Sequence, residues 1–183
     1  MTYQKTRKYF FLFIIISSFI YSGCSSLRKQ CAEFHFKRGN KKIQEGKYLS
    51  AINNLIKVEK YDDERKNTPE SLLLIGKAYF QYSIIYRNNN AVYSNETKEM
   101  YNNYLKKSEE YLTRLIKEYP KHNLADDAQY NIGLIYDWDQ LGGTNIFEKA
   151  LVEYQKVIDL YPGSSSYPFA KERIKIISAI IKK

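Results

Sequence analysis

A pattern of small residues at constant spacing most constrains how this chain folds. A glycine recurs in the motif Ile-Gly-x-x-Tyr, at Gly76 and Gly133. A small residue also recurs four positions before an apolar residue, at Ala51, Ser108 and Ala150. The step from Ala51 to Gly76 is 25 residues, and the step from Ser108 to Gly133 is also 25. Units of this length at a fixed period stack on one another, because one unit alone cannot bury a core. We therefore predict an all-α solenoid of helical hairpins.

Proline and glycine mark the ends of the predicted helices. Tyr119-Pro120 and Tyr161-Pro162 close two helices, since proline cannot continue one, and Gly46 offers a tight turn. Thr68-Pro69-Glu70 predicts a helix start with a hydroxyl cap and proline in the first turn. These signals predict three hairpins and a C-terminal capping helix within residues 31–183, at about 33–67, 68–122 with an insertion at 84–103, 123–164 and 165–183.

In these features the chain resembles tetratricopeptide-repeat proteins of the kind found in bacterial envelope lipoproteins. In that family small residues at the eighth and twentieth positions of each repeat let two helices cross closely. The equivalent pairs in this sequence are Gly39 with Ala51, Gly76 with Ser108, and Gly133 with Ala150. The resemblance covers residues 33–183 and departs from the family by insertions of 20 residues in the second repeat and 5 in the third. An irregular helical bundle with a chance similarity is the alternative interpretation.

The N-terminus has the organisation of an export signal. A basic start precedes the apolar run Tyr9–Ile20, which is short for a membrane span, and Ser22-Gly23 presents small residues before Cys24. This segment resembles a bacterial lipobox, although Tyr21 stands where leucine is usual. The resemblance implies a signal peptide at 1–23, acylation of Cys24, a tether at 24–30 and, because Ser25 follows instead of aspartate, a place on the periplasmic face of the outer membrane. An ordinary signal peptide and an uncleaved anchor are the alternatives.

The charge and cysteine content exclude several classes of protein. The formal charge is +9, or +6 without residues 1–23, and no arginine-rich cluster or base-reading motif accompanies it, so we predict no nucleic-acid partner. A solvated helical surface is the default interpretation of the charge, and attraction to anionic lipid or to an acidic partner face is the alternative. If Cys24 is acylated, Cys31 has no partner for an intramolecular disulfide.

Catalytic motifs are absent from the sequence. His35 and His122 stand far apart without a nucleophile motif, and there is no phosphate loop, CxxC or HExxH. Asp126 and Asp127 point apart on a helix and suit its positive end, while Asp137-Trp138-Asp139 has too few ligands for a calcium loop. We predict no enzyme, no cofactor, no metal and no small-molecule substrate.

The family resemblance also implies a binding surface. In tetratricopeptide folds the first helix of each repeat lines a concave groove at its second, fifth, ninth and twelfth to thirteenth positions. On this chain these positions are occupied by Phe36, Asn40 and Ile43, by Leu73, Lys77, Phe80 and Gln81, and by Tyr130, Leu134, Asp137 and Trp138. Such an aromatic and apolar strip suits an extended peptide or an amphipathic helix of a protein partner. The alternative is that these side chains pack against neighbouring helices.

The repeat style, the lipobox and the Tyr-Pro helix ends together resemble the BamD (YfiO)-like outer-membrane assembly lipoprotein family. This resemblance implies a lipid-anchored scaffold that takes part in β-barrel protein assembly. Members of that family usually have about five repeats, whereas this chain has room for three and a capping helix. A tetratricopeptide-repeat adaptor of the Tol-Pal system or of the cell wall is the alternative, and an enzyme, which would need convergent titratable groups in a pocket, is the minor alternative.

Overall fold

The computed structural model describes residues 25–90, 94–138 and 144–182. Within these ranges the chain forms seven α-helices and no strand, which confirms the predicted all-α repeat solenoid. The helices are α1 (25–44), α2 (Tyr48–Tyr61), α3 (Thr68–Asn89), α4 (Asn95–Glu118), α5 (Ala125–Trp138), α6 (Thr144–Leu160) and α7 (Tyr167–Ile181). The predicted signal peptide and Cys24 lie outside the described residues. None of the helices within those residues is both long and apolar enough to cross a membrane.

Neighbouring helices pack in chain order from α2 to α7, and α3 also contacts α5. Three apolar clusters lie between them, and each is filled from consecutive hairpins. The largest joins α3, α4 and α5 around Tyr101 and Leu112, which are fully buried. This arrangement is that of a stacked solenoid, in which each hairpin buries its apolar face against the next one.

The small residues of the repeat lie where two helices cross. A Cβ atom added to Gly39 or to Gly76 would stand 2.6 Å from the side chain of Leu55 or Leu112, and one added to Gly133 would stand 2.5 Å from the Tyr154 ring. Such distances are too short for real contacts, so these positions accept only glycine at this helix separation. The structure thus confirms the predicted close helix crossings.

A buried aspartate, rather than the predicted threonine cap, fixes the start of α3. Asp62 follows α2, and its Oδ2 accepts hydrogen bonds from the backbone N–H of Asn67 and Thr68, each 2.7 Å long, and from the Thr68 hydroxyl at 2.8 Å. The prediction that the Thr68 hydroxyl caps the helix was wrong, because this hydroxyl donates to Asp62 instead. One carboxylate thereby ties the end of one hairpin to the beginning of the next.

Two predicted segments, the tether and the insertion, are largely helical in the structure. Residues 25–30, predicted as a tether, are helical and belong to α1. Most of the insertion at 84–103 is helical: α3 continues to Asn89 and α4 starts at Asn95, where Ser94 accepts a hydrogen bond from the backbone of Thr97. The extra residues therefore lengthen this hairpin to helices of 22 and 24 residues, against 14 for α2 and for α5.

Candidate functional site

A pocket lies where the first helices of the second and third hairpins meet the start of α7. We call it the central pocket; its volume is about 380 Å³ and it is lined by Lys77, Phe80, Gln81, Asp127, Tyr130, Asn131, Leu134, Ser165, Ser166 and Phe169. It exists because α3 and α5 contact each other directly, while the turn after α6 returns the chain to the side of α5. Its volume is at the low end of the range for small-ligand sites.

Aromatic rings form the apolar part of the central pocket. The Tyr130 ring has its centroid 5.4 Å from that of Tyr154 and 6.2 Å from that of Phe169. Phe80 is 7% exposed, whereas Phe169 is 61% exposed. Burial raises the pKa of the Tyr130 phenol above its ordinary value, so this hydroxyl stays protonated and can donate a hydrogen bond at neutral pH. The floor of the pocket is therefore formed by largely buried aromatic rings, and the exposed ring of Phe169 protrudes beside it.

Two aspartates at the start of α5 hold the other wall of the pocket. Asp126 accepts a hydrogen bond from the Ser166 backbone N–H at 3.2 Å, and Asp127 accepts one from the Ser166 hydroxyl at 2.8 Å. Ser165 also donates to Asp126, at 3.3 Å. These carboxylates were predicted to suit the positive end of α5. They also fix the start of α7 and so position Phe169 beside Tyr130.

The structure brings part of the predicted groove together. Five of the predicted positions line the central pocket: Lys77, Phe80, Gln81, Tyr130 and Leu134. Trp138 lies one helical turn beyond Leu134 on α5 and is 49% exposed, so it continues the apolar surface past the pocket.

Other predicted groove residues pack inside the solenoid. Phe36 and Ile43 pack against the apolar cluster between α2 and α3, and Leu73 is a buried member of the cluster between α3 and α5. Asn40 is half-buried on α1 and does not line the central pocket. Neighbouring helices cover Leu73, so it presents no open binding surface, whereas Phe36 and Ile43 are half-buried and stay predicted groove residues.

Asp137, the remaining predicted groove position, has a structural role. Its Oδ2 accepts hydrogen bonds from the Tyr154 hydroxyl at 3.0 Å and from Arg173 Nε at 2.7 Å. Burial, together with the neighbouring Asp137 carboxylate, raises the pKa of Tyr154 far above its ordinary value. Asp137 thus joins α5, α6 and α7 instead of facing a ligand.

The contribution of α7 was not predicted, because this helix was interpreted as a cap. The repeat register nevertheless contains the signal: Lys175 lies 25 residues after Ala150, at the position equivalent to Gly133. Counting from Lys175 places Phe169, Ile176 and Ile180 at the second, ninth and thirteenth positions of a first helix. All three side chains are exposed, so an apolar strip continues from Phe169 along α7.

The two histidines, which were considered as catalytic candidates, both make contacts within the fold. His35 is stacked on Tyr61 with ring centroids 5.8 Å apart, and His122 Nδ1 accepts a hydrogen bond from the Leu124 backbone at 3.2 Å. In the part of the chain that the structure describes, no cluster of histidine, cysteine and carboxylate side chains could hold a metal ion.

The geometry therefore defines a helical-repeat scaffold with a pocket on its first helices. Residues 127–164, which comprise most of α5 and all of α6, match the family model of the tetratricopeptide repeat. The chain thus contains a tetratricopeptide repeat within a solenoid of that type, a class of fold that typically binds protein partners and is typically not enzymatic. No curated protein matches the chain.

Proposed function

We propose that this protein is a lipid-anchored scaffold on the periplasmic face of the outer membrane, and that it holds a protein segment on its central pocket during β-barrel protein assembly. The observation that carries the proposal is the exposed aromatic and apolar surface built from three first helices, α3, α5 and α7. Such a surface suits a segment with aromatic or aliphatic anchors, since a few buried side chains supply most of the binding energy at protein interfaces.

The polar side chains around the pocket favour an extended or helical peptide over a small molecule. Lys77 and Gln81 are exposed on one side, and Asn131 and Asp127 stand on the other. These groups can bond backbone or side-chain polar atoms of a peptide while its apolar side chains enter between them. The open shape also leaves both ends of a passing segment free.

A photo-crosslinking residue at position 81 tests this binding surface. Gln81 is exposed at the pocket, so Gln81 replaced by a photoreactive amino acid should capture a protein in intact envelopes. The same residue at Lys121, exposed in the turn after α4, is the control and should capture much less. Equal capture at both positions would place the partner elsewhere. A β-barrel assembly subunit as the captured protein supports the assembly role, whereas a Tol-Pal component or a cell-wall enzyme assigns the alternative role.

The anchor is tested at the two cysteines. Cys24→Ala should remove all label from a palmitate analogue and release the protein from the outer-membrane fraction, because Cys24 follows the apolar run and the small residues. Cys31→Ala is the matched control and should keep the full label, since Cys31 is a free thiol on α1. Equal labelling of both variants would contradict acylation at Cys24.

A further inference from the structure

The positive charge of the chain is concentrated in α1. Residues 25–44 contain six basic residues and one acidic residue, a net formal charge of +5. Residues 45–183 together contribute only +1 of the total of +9, and the remaining +3 belongs to residues 1–24. The basic character of the folded solenoid is therefore a property of its first helix and not of its whole surface.

An exposed stripe of α1 combines this charge with apolar side chains. Leu27 is 64% and Phe34 is 55% exposed, and Arg38 and Lys41 follow Phe34 at intervals of four and three residues, on the same side of the helix. The Arg38 guanidinium stands 5.9 Å from the centroid of the Phe34 ring. The other side of α1, which includes Phe36, packs against the apolar cluster between α2 and α3.

The basic side chains of this stripe are available for an outside partner. Lys37, Arg38 and Lys41 border a shallow hollow beside Phe34, and among the described residues none of the three forms an ion pair. By contrast Lys29, near the start of the helix, lies 3.3 Å from Glu64 in an ion pair. The stripe thus keeps uncompensated positive charge next to exposed apolar surface.

The start of α1 places this stripe beside the proposed attachment point. Leu27 is the third residue after Cys24 in the sequence, so the chain between them spans at most about 10 Å. The polar layer of one membrane leaflet is about 5–8 Å deep. Lys41 lies 14 residues after Leu27, about 21 Å along the helix. A helix lying along the membrane surface could therefore bring the whole stripe to the headgroups.

We propose that this stripe of α1 lies on an anionic phospholipid surface, with Leu27 and Phe34 in the headgroup layer and with Lys37, Arg38 and Lys41 against lipid phosphates. The inference rests on the membrane attachment of the proposed function. Interleaved aromatic, aliphatic and basic residues on one helix face are typical of helices that lie in a membrane interface. The contact would fix the orientation of the solenoid relative to the membrane, which a lipid anchor alone does not do.

The exposed Cys31 thiol lies on the same stripe and provides a reporter. The full chain is purified from membranes and incorporated into vesicles of phosphatidylcholine alone or with an equal amount of phosphatidylglycerol. Flotation measures attachment, and mass spectrometry of the peptide carrying Cys31 measures its alkylation by a charged, membrane-impermeant maleimide. We expect alkylation to be slower by about tenfold in the anionic vesicles, because each basic residue favours the anionic surface.

Charge reversal separates this contact from general attraction. The triple variant Lys37→Glu, Arg38→Glu, Lys41→Glu should restore rapid alkylation, and so should Leu27→Ser combined with Phe34→Ser. The charge-matched control is the triple variant Lys121→Glu, Lys171→Glu, Lys175→Glu, which changes exposed residues outside α1. In this control Cys31 should stay protected from alkylation in the anionic vesicles.

Three results would overturn the proposal. If the chain floats with both kinds of vesicle and Cys31 reacts equally fast in both, then the anchor is intact but the stripe does not contact the anionic surface. If the chain floats with neither kind of vesicle, then the membrane attachment of the proposed function is contradicted as well. Protection of Cys31 by polyglutamate, with none by anionic vesicles, would assign the stripe to an acidic protein instead.

Discussion

Gly133→Leu should lower the free energy of unfolding by about 3 kcal/mol, the upper end of the range for overpacked cores. A Cβ atom at this position would stand 2.5 Å from Tyr154 Cε1 and 2.6 Å from Cδ1. The Tyr154 ring cannot easily move aside, because it is fully buried and its hydroxyl donates to Asp137. Glycine costs about 1 kcal/mol relative to alanine inside a helix, so its presence here needs such a steric reason.

Urea denaturation followed by the fluorescence of Trp138, the only tryptophan, measures this effect at the end of the same helix. Lys175→Leu is the matched control, since Lys175 holds the equivalent repeat position on α7 but is exposed, and its stability should change by less than about 0.5 kcal/mol. Tyr154→Leu should make room, so that Gly133→Ala costs less in that background than in the native chain. Equal midpoints for Gly133→Leu and Lys175→Leu would contradict the crossing-point role.

The fold could be predicted from the sequence because its main constraint is local and repeated. A small residue at one phase of each helix from α1 to α6 fixes where two helices cross, and the contacts of Gly76 and Gly133 match that expectation. The capping by Asp62 could not be predicted in the same way. Its three donors lie five and six residues further on, in a turn whose path depends on how two hairpins stack.

The candidate site was predicted only in part, because a helical register gives the face of a residue and not what covers that face. Leu73 and Lys77 are four residues apart on α3, yet Leu73 is buried in the core while Lys77 reaches the pocket. Whether a residue on this face of α3 is buried or reaches the pocket depends on how far α5 overlaps α3, and the sequence does not give that overlap. Phe169 was missed for the opposite reason, since a terminal helix was assumed to close the solenoid rather than to extend its surface.

Phe169→Ala and Trp138→Ala should each weaken binding of the captured partner, by up to about 30-fold for a residue that acts as an interface hot spot. Both side chains are large and aromatic, and both are exposed in the free protein, Phe169 at 61% and Trp138 at 49%. Their truncation should therefore remove ligand contacts with little loss of stability. Phe80→Ala is a poor probe of the same surface, because Phe80 belongs to the core cluster and its loss should destabilise the fold by about 3–5 kcal/mol.

Val152→Ala is the matched control for these variants. Val152 is 55% exposed and apolar, but it lies on α6, a second helix that does not line the central pocket. Titration of the purified partner should give native affinity for Val152→Ala, and the native Trp138 fluorescence should change as the partner binds. If Phe169→Ala and Trp138→Ala bind as tightly as Val152→Ala, then α5 and α7 do not carry the interface. The lengthened α3–α4 hairpin, with exposed Ile85 near its end, then becomes the surface on which a partner must be sought.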